Sequence, residues 1–207
     1  VEGVMNADPK QFPDAHFISR LSYSEVIEMA YYGAQVSHPK TIKALQNLSE
    51  KPWQLVLLGT GDPYIEAALN QLQAEFPDKV RVLLKFDNEI SHQIYAGSDL
   101  FLMPSRYEPC GLSQMIALRY GCIPVVHATG GLKDTVSDDI TGFLFDESNP
   151  EAQAFAIQRA FNLFSDLKAW RSMQKKGMQL DFSWNTSARK YAAIYNLRVY
   201  KKSAGGQ

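Results

Sequence analysis

The chain has 207 residues, 45% hydrophobic and 21% charged, a composition that excludes a disordered or fibrous protein and suits one globular domain, with room for a fragment of another. Its 21 Lys and Arg against 22 Asp and Glu give a net charge of −1, which excludes the strongly basic balance of a nucleic-acid-binding chain. Two cysteines, Cys110 and Cys122, are too few for a disulfide scaffold and point to a reducing compartment, a cytoplasm or a stroma.

Val1-Glu2-Gly3-Val4 has neither a starting Met nor the basic-then-apolar order of a secretory signal, so the sequence is expected to be a piece of a longer one. Residues 1–10 read as a loop or edge strand. Residues 24–30 suit a helix stopped near Gly33, His38-Pro39 is a break, and Thr41 to Leu45 suits a second short helix. Taken alone, residues 1–48 carry too few apolar side chains to build a core.

From residue 53 a regular alternation sets in. Gln54-Leu55-Val56-Leu57-Leu58 predicts a buried strand ending in the loop Gly59-Thr60-Gly61-Asp62-Pro63. Ile65, Leu69 and Leu72 recur at helical spacing, and Val80-Arg81-Val82-Leu83-Leu84 is the next strand. Ile90 and Ile94 place a short helix through Tyr95, and Leu100-Phe101-Leu102-Met103-Pro104 a third strand. A helix over about residues 112–120 precedes Ile123-Pro124-Val125-Val126, and Gly142-Phe143-Leu144-Phe145 is a last short strand. Helices over residues 150–164, 167–176 and 186–200 close the chain, with a frayed polar tail from Lys201.

Strands and helices alternating through short loops predict an α/β fold, a Rossmann-like parallel sheet with helices on both faces. Ligands of such sheets lie beyond the carboxyl ends of the strands, so the candidate site is built from loops 59–63, 104–113 and 129–132. The apolar runs are too short to span a bilayer, so no membrane partner is expected.

The densest signal is Pro104-Ser105-Arg106-Tyr107-Glu108-Pro109-Cys110-Gly111-Leu112-Ser113-Gln114, between an apolar strand and a helix. Gly111 lets backbone approach a ligand, and the free N–H groups from Leu112 to Gln114 suit an anion such as a diphosphate. Glu108 stands just before that turn, placed to bind the hydroxyls of a sugar. Thr129-Gly130-Gly131 and Gly59-Thr60-Gly61-Asp62 add two further glycine turns, and three such loops at three strand ends argue for a phosphorylated ligand where one alone would be weak.

These residues resemble those of bacterial glycogen synthases and plastid starch synthases. Leu57-Leu58-Gly59-Thr60-Gly61-Asp62-Pro63, Tyr95-Ala96-Gly97-Ser98-Asp99, the run from Met103 to Gln114, Ala117-Leu118-Arg119-Tyr120-Gly121, Pro124-Val125-Val126, Thr129-Gly130-Gly131-Leu132 and Phe182-Ser183-Trp184 occur there in this order and spacing. The resemblance covers about residues 45–200 and implies the C-terminal, donor-binding half of a glycosyltransferase B fold. It implies ADP-glucose as donor, transfer of glucose with retention to the 4-hydroxyl of an α-1,4-glucan, no cofactor and no metal. The acceptor is bound by an N-terminal domain that this chain lacks, so the chain alone is expected to be inactive.

Carried over by position, Glu108 contacts glucose hydroxyls, and the backbone of Cys110, Gly111 and Leu112 faces glucose and phosphate. Ser113 stands where the family usually has Thr, with its hydroxyl on phosphate. Gly59 and Gly61 border the nucleoside, Tyr95 lies beside the adenine, and Thr129 and Gly130 complete the pocket. Wider relatives have a second Glu where this chain has Ile116, which matches the starch/glycogen branch. The family's basic pair before Thr-Gly-Gly is here His127-Ala128. Its opening Lys-x-Gly loop is absent: Phe17-Ile18-Ser19-Arg20-Leu21 resembles the first strand and its Arg, but Ser22-Tyr23-Ser24-Glu25 follows. Arg20 is carried as a catalytic candidate on that basis.

Residues 1–45 resemble instead the end of an aspartokinase catalytic domain, through Val1-Glu2-Gly3-Val4-Met5-Asn6-Ala7-Asp8-Pro9-Lys10, Ile18-Ser19-Arg20-Leu21-Ser22-Tyr23 and Glu28-Met29-Ala30-Tyr31-Tyr32-Gly33. The expected division is therefore residues 1–48, aspartokinase-like, and 49–207, nucleotide-sugar-binding. The first piece is expected to take the place of the missing first unit, with residues 17–21 as strand and 25–32 as helix. A non-catalytic binding module and an amino-acid kinase relative are the alternative readings. Several residues have structural readings beside these. Gly59 and Gly61 also fit plain turn chemistry, and Tyr95 fits core packing. Cys122 and the Cys110 side chain read as buried thiols, His127 as a strand-end polar residue, and Trp184, Tyr191 and Tyr195 as core of the closing helices.

Overall fold

Among the described residues six parallel strands form one sheet in the order β3-β2-β1-β4-β5-β6. The computed structural model describes residues 25–30, 53–61 and 63–204. The strands are β1 (Glu25–Ala30), β2 (Trp53–Leu58), β3 (Val80–Leu83), β4 (Leu100–Met103), β5 (Ile123–His127) and β6 (Phe143–Phe145). Between and after them run α1 (Pro63–Glu75), α2 (Asn88–Gly97), α3 (Ser113–Tyr120), α4 (Gly130–Thr135), α5 (Pro150–Phe164), α6 (Leu167–Met178) and α7 (Trp184–Ala204).

The apolar runs make strands because both of their faces are covered. Leu55, Leu57, Leu100, Leu102, Ile123 and Val125 pack with Leu69, Leu72, Ile157, Phe161 and Trp170 of α1, α5 and α6. The alternate residues Phe101, Met103 and Val126 pack with Tyr95, Leu118 and Leu132 of α2, α3 and α4 on the other face. Period-two alternation of strand side chains thus splits one apolar run between two cores. Register keeps the rows straight, with Leu57 paired to Val82, Leu102 to Val125 and Val125 to Phe143.

One expectation is corrected. Residues 25–30 form a strand and not a helix, paired with β2 on one side, Ile27 opposite Leu55, and with β4 on the other, Ile27 opposite Leu100. A six-residue segment with apolar residues at positions 26, 27, 29 and 30 fits either pattern locally. The gap between β2 and β4 decides, because only an extended segment can satisfy backbone donors and acceptors on both flanking strands. Residues 17–21 lie outside the described residues. Two ends also differ. Residues 130–135 form a short helix where a loop was expected, and α7 continues to Ala204 through the stretch read as frayed.

Among the described residues four helices are capped at their N-termini by side chains, one of them α7, where Ser183 Oγ accepts from Thr186 N at 3.3 Å. Asp87 accepts from Ile90 N at 3.0 Å, Asn149 from Ala152 N at 2.7 Å, and Asp166 from Lys168 N and Ala169 N at 3.0 and 3.1 Å. The Ile90 N–H bond, ahead of the contacts with Lys85, holds the Asp87 carboxyl below its ordinary value against the opposing effect of desolvation. The two helices that start at the sequence's densest motif and its Thr-Gly-Gly turn, α3 and α4, have no side-chain cap.

Candidate functional site

The strand order reverses between β1 and β4, since β2 and β3 continue to one side and β5 and β6 to the other. The crevice beyond the carboxyl ends of the strands at such a switch point is where open α/β sheets bind ligands. The loop that leaves β4 at this point is 104–112, the densest motif of the sequence.

That loop is shaped by its own carbonyls. Glu108 O accepts from Gly131 N at 2.9 Å, and Cys110 O and Gly111 O accept from Gln114 Nε2 at 3.2 and 2.9 Å. Gly111 takes φ 68°, a left-handed turn that favours glycine, and the loop then enters α3 without a capping side chain. Among the described residues the peptide N–H groups of Gly111, Leu112, Ser113, Gln114 and Met115 have no acceptor. Ser113 is 6% exposed and its hydroxyl makes no hydrogen bond to a described residue. These donors stand at the positive end of a helix dipole, an arrangement suited to a multiply charged anion. Around them Arg106, Tyr107, Pro109, Cys110 and Leu112 are exposed and Glu108 is half-buried. Cys110 therefore presents a free, exposed thiol where a buried one was expected, while Cys122 is buried as expected.

The Thr129-Gly130-Gly131 turn lies directly on this loop. A Cβ on Gly130 would collide with the Glu108 carbonyl, and one on Gly131 with the backbone of Cys110. The sequence assigned Thr129 and Gly130 to the ligand pocket. The structure shows the glycines first clearing space for another stretch of protein.

Gly59 and Gly61, after β2, are held more loosely. Gly59 N–H reaches Leu83 O at 3.1 Å, and Gly61 N–H reaches the Glu66 carboxylate at 2.8 Å in an exposed loop. Asp62 and Arg20 lie outside the described residues. Tyr95 is 5% exposed, with its ring 5.6 Å from that of Phe101 and stacked 6.1 Å from that of Tyr120, so the face an adenine would need is taken by the core. An aromatic the sequence reading missed is available instead. Phe86 follows β3 at the same edge of the sheet and is 82% exposed. Its signal was the apolar strand before it and the Asp87 cap after it, which leave Phe86 no interior to enter.

His127 ends β5 as a polar residue, its ring nitrogens 2.7 Å from Ser105 O and 3.1 Å from Asp146 O. It ties the β4, β5 and β6 ends together. Trp184, Tyr191 and Tyr195, expected in the core, are all exposed. Along α7 the apolar residues are spread around the helix and mark no single face for burial. Among the described residues no helix is long and apolar enough to cross a membrane.

Known proteins are similar to this chain in sequence and in fold. The glycogen synthase of Geotalea daltonii is 53% identical over 164 residues, 76% of this chain and 34% of that protein. That of Thermodesulfovibrio yellowstonii is 40% identical over 185 residues, 89% of this chain and 35% of that protein. The structure of the catalytic domain of starch synthase IV from Arabidopsis thaliana, bound to ADP and acarbose, is 36% identical, with a TM-score of 0.71 over 86% of this chain and 39% of that one. The chain thus spans about a third of the length of these curated relatives. The aspartokinase resemblance of residues 1–45 is not seen among these relatives. The family model for glycosyl transferases group 1 matches residues 17–177, from within that N-terminal stretch through α6, and the chain belongs to that family.

Proposed function

We propose that this chain is the donor-binding domain of a retaining, ADP-glucose-dependent glucosyltransferase of the glycogen and starch synthase type. One observation carries the reading: the run of unpaired N–H groups from Gly111 to Met115, at the sheet's switch point and at an uncapped helix start. The kinship with glycogen synthases, and with a starch synthase bound to ADP, supports a nucleoside diphosphate as the anion.

In this reading the C1–O bond from glucose to the diphosphate breaks and a bond from C1 to the 4-hydroxyl oxygen of an α-1,4-glucan forms. The hydroxyl proton passes to the departing diphosphate. Charge grows on that diphosphate as it leaves, and fixed amides with a helix dipole stabilise it without reorganising. The Ser113 hydroxyl adds a donor, the Glu108 carboxylate orients the glucose hydroxyls, and the Gly59–Gly61 loop with the exposed Phe86 ring borders the nucleoside. No resident cofactor or metal takes part. Acceptor binding belongs to a further N-terminal domain, and β1 completes the sheet of this one between β2 and β4. The setting is a bacterial cytoplasm or a plastid stroma.

Calorimetry and amide NMR on the purified chain test this. ADP and ADP-glucose are expected to bind and to shift the amides of residues 111–115, with no incorporation of labelled glucose into glycogen. Unmoved amides at millimolar ADP-glucose would sink the donor reading, and substantial incorporation would overturn the expectation that the chain alone is inactive.

A further inference from the structure

We infer that Gln114 is the positioning residue that turns the Gly111 and Leu112 amides outward to meet the anion. This rests on the donor-site reading above and adds how the site is held open. Gln114 is 0% exposed, and every hydrogen-bond partner of its Nε2 is an oxygen. Nε2 stands 3.2 Å from Cys110 O, 2.9 Å from Gly111 O and 3.1 Å from Thr135 Oγ1. Thr135 Oγ1 in turn donates its own proton to Gly131 O at 2.6 Å, so toward Gln114 it can only accept.

Three acceptors around one nitrogen fix the orientation of the amide. Turning it over would set Oε1 against two carbonyls and an acceptor hydroxyl. In the orientation that remains, Oε1 is buried with no partner. An unpaired buried acceptor is costly, and native structures keep such a group where its other contacts demand it. Here the demand comes from the loop.

The consequence follows from the geometry of the peptide unit. All peptide bonds among the described residues are trans, and in a trans peptide C=O and N–H point in opposite directions. The carbonyl of Cys110 shares its peptide plane with the N–H of Gly111, and the carbonyl of Gly111 shares its plane with the N–H of Leu112. Drawing both carbonyls inward to Gln114 sends both N–H groups outward. There they continue the line of free donors at Ser113, Gln114 and Met115. The path Gln114–Thr135–Gly131, closed by the Gly131 N–H on Glu108 O, ties α4 into the same device. The Thr-Gly-Gly turn thereby contributes to anion binding through the loop it braces.

The test uses this chain with ADP and adenosine as probes. Gln114→Met keeps the volume and removes the donors, and Gln114→Glu keeps the shape and replaces the donors with acceptors. Both folded variants are expected to bind ADP at least about tenfold more weakly, with the ADP-induced shifts at Gly111 and Leu112 lost and adenosine affinity unchanged. The Glu variant is expected to recover part of its ADP affinity, relative to wild type, on acidification, because a protonated carboxyl regains one donor. A merely structural role would not produce that recovery. Should both variants unfold, Thr135→Val removes only the far anchor and is expected to weaken ADP by about threefold. Wild-type affinity and unchanged Gly111 and Leu112 shifts in the folded variants would overturn the inference while leaving the donor site intact. Failure of the wild-type chain to bind ADP would overturn both.

Discussion

Two glycine turns stand at the same edge of the sheet and do different work. The turn after β2 is exposed, and its Gly61 amide is occupied only by the nearby Glu66 side chain. The turn after β5 is pressed against the loop 108–110, and its Gly131 amide is spent on Glu108 O. On paper both read as places where a ligand nears the backbone. In space one glycine pair leaves room for solvent or ligand, and the other leaves room for protein. A glycine signals close approach, and only the partner decides what approaches.

The comparison breaks most readily at Gly131. Gly131→Ala places a methyl on the Cys110 backbone, which cannot retreat while Glu108 O and Cys110 O are both held. Overpacking of this kind is expected to cost about 3 kcal/mol in urea unfolding and to abolish ADP binding. A stability within error of wild type would mean that the two loops are not pressed together. Next in size is Glu108→Gln, which separates what the braced loop presents by side chain from what it presents by backbone. Loss of a charged hydrogen-bond acceptor is expected to weaken ADP-glucose about tenfold and leave ADP itself unchanged in calorimetry. Equal weakening of both ligands would move Glu108 from the sugar to the diphosphate.

A pH control keeps these effects local. Hydrogen bonds from the Thr186 hydroxyl first, and then from Ser183, hold Asp181, just before α7, at about 2. Its folded value lies below the ordinary carboxylate range, so its stabilisation is whole above that range and is lost as the pH falls through about 2. Carboxyl NMR titration should find that midpoint, and Asp181→Asn should abolish the acid loosening of α7 without touching ADP binding at neutral pH. The smallest effect belongs to the other turn. Gly61→Ala, in an exposed loop, is expected to change stability by no more than about 0.5 kcal/mol. A loss comparable with that of Gly131→Ala would erase the distinction between the turns.

Much of this was legible before any coordinates. Strands β2 to β6 declared themselves as short apolar runs closed by turn residues, and the loop 104–113 stood out as a candidate site through Gly111 and Glu108 between a strand and a helix. The segment 25–30 was not legible, because its apolar spacing fits a helix as well as a strand. Trp184, expected in the core, remained outside, while Tyr95, for which ligand contact and core packing both stood open, entered the core. An aromatic residue carries the same local signal in either setting, and the packing of neighbouring helices decides between them.

What the sequence determined by itself is therefore local: the alternation that makes a parallel sheet, the turns, and a cluster of residue types suited to a sugar diphosphate. The tertiary structure alone decided where the strand order reverses, which glycines face protein, and that Gln114 reaches back to hold the loop while its neighbour Ser113 keeps a free hydroxyl. The reason is physical. Patterning depends on each residue's preference for water or core, whereas the direction of an amide depends on which oxygen its own peptide has found, and those oxygens meet their partners only when the chain has folded.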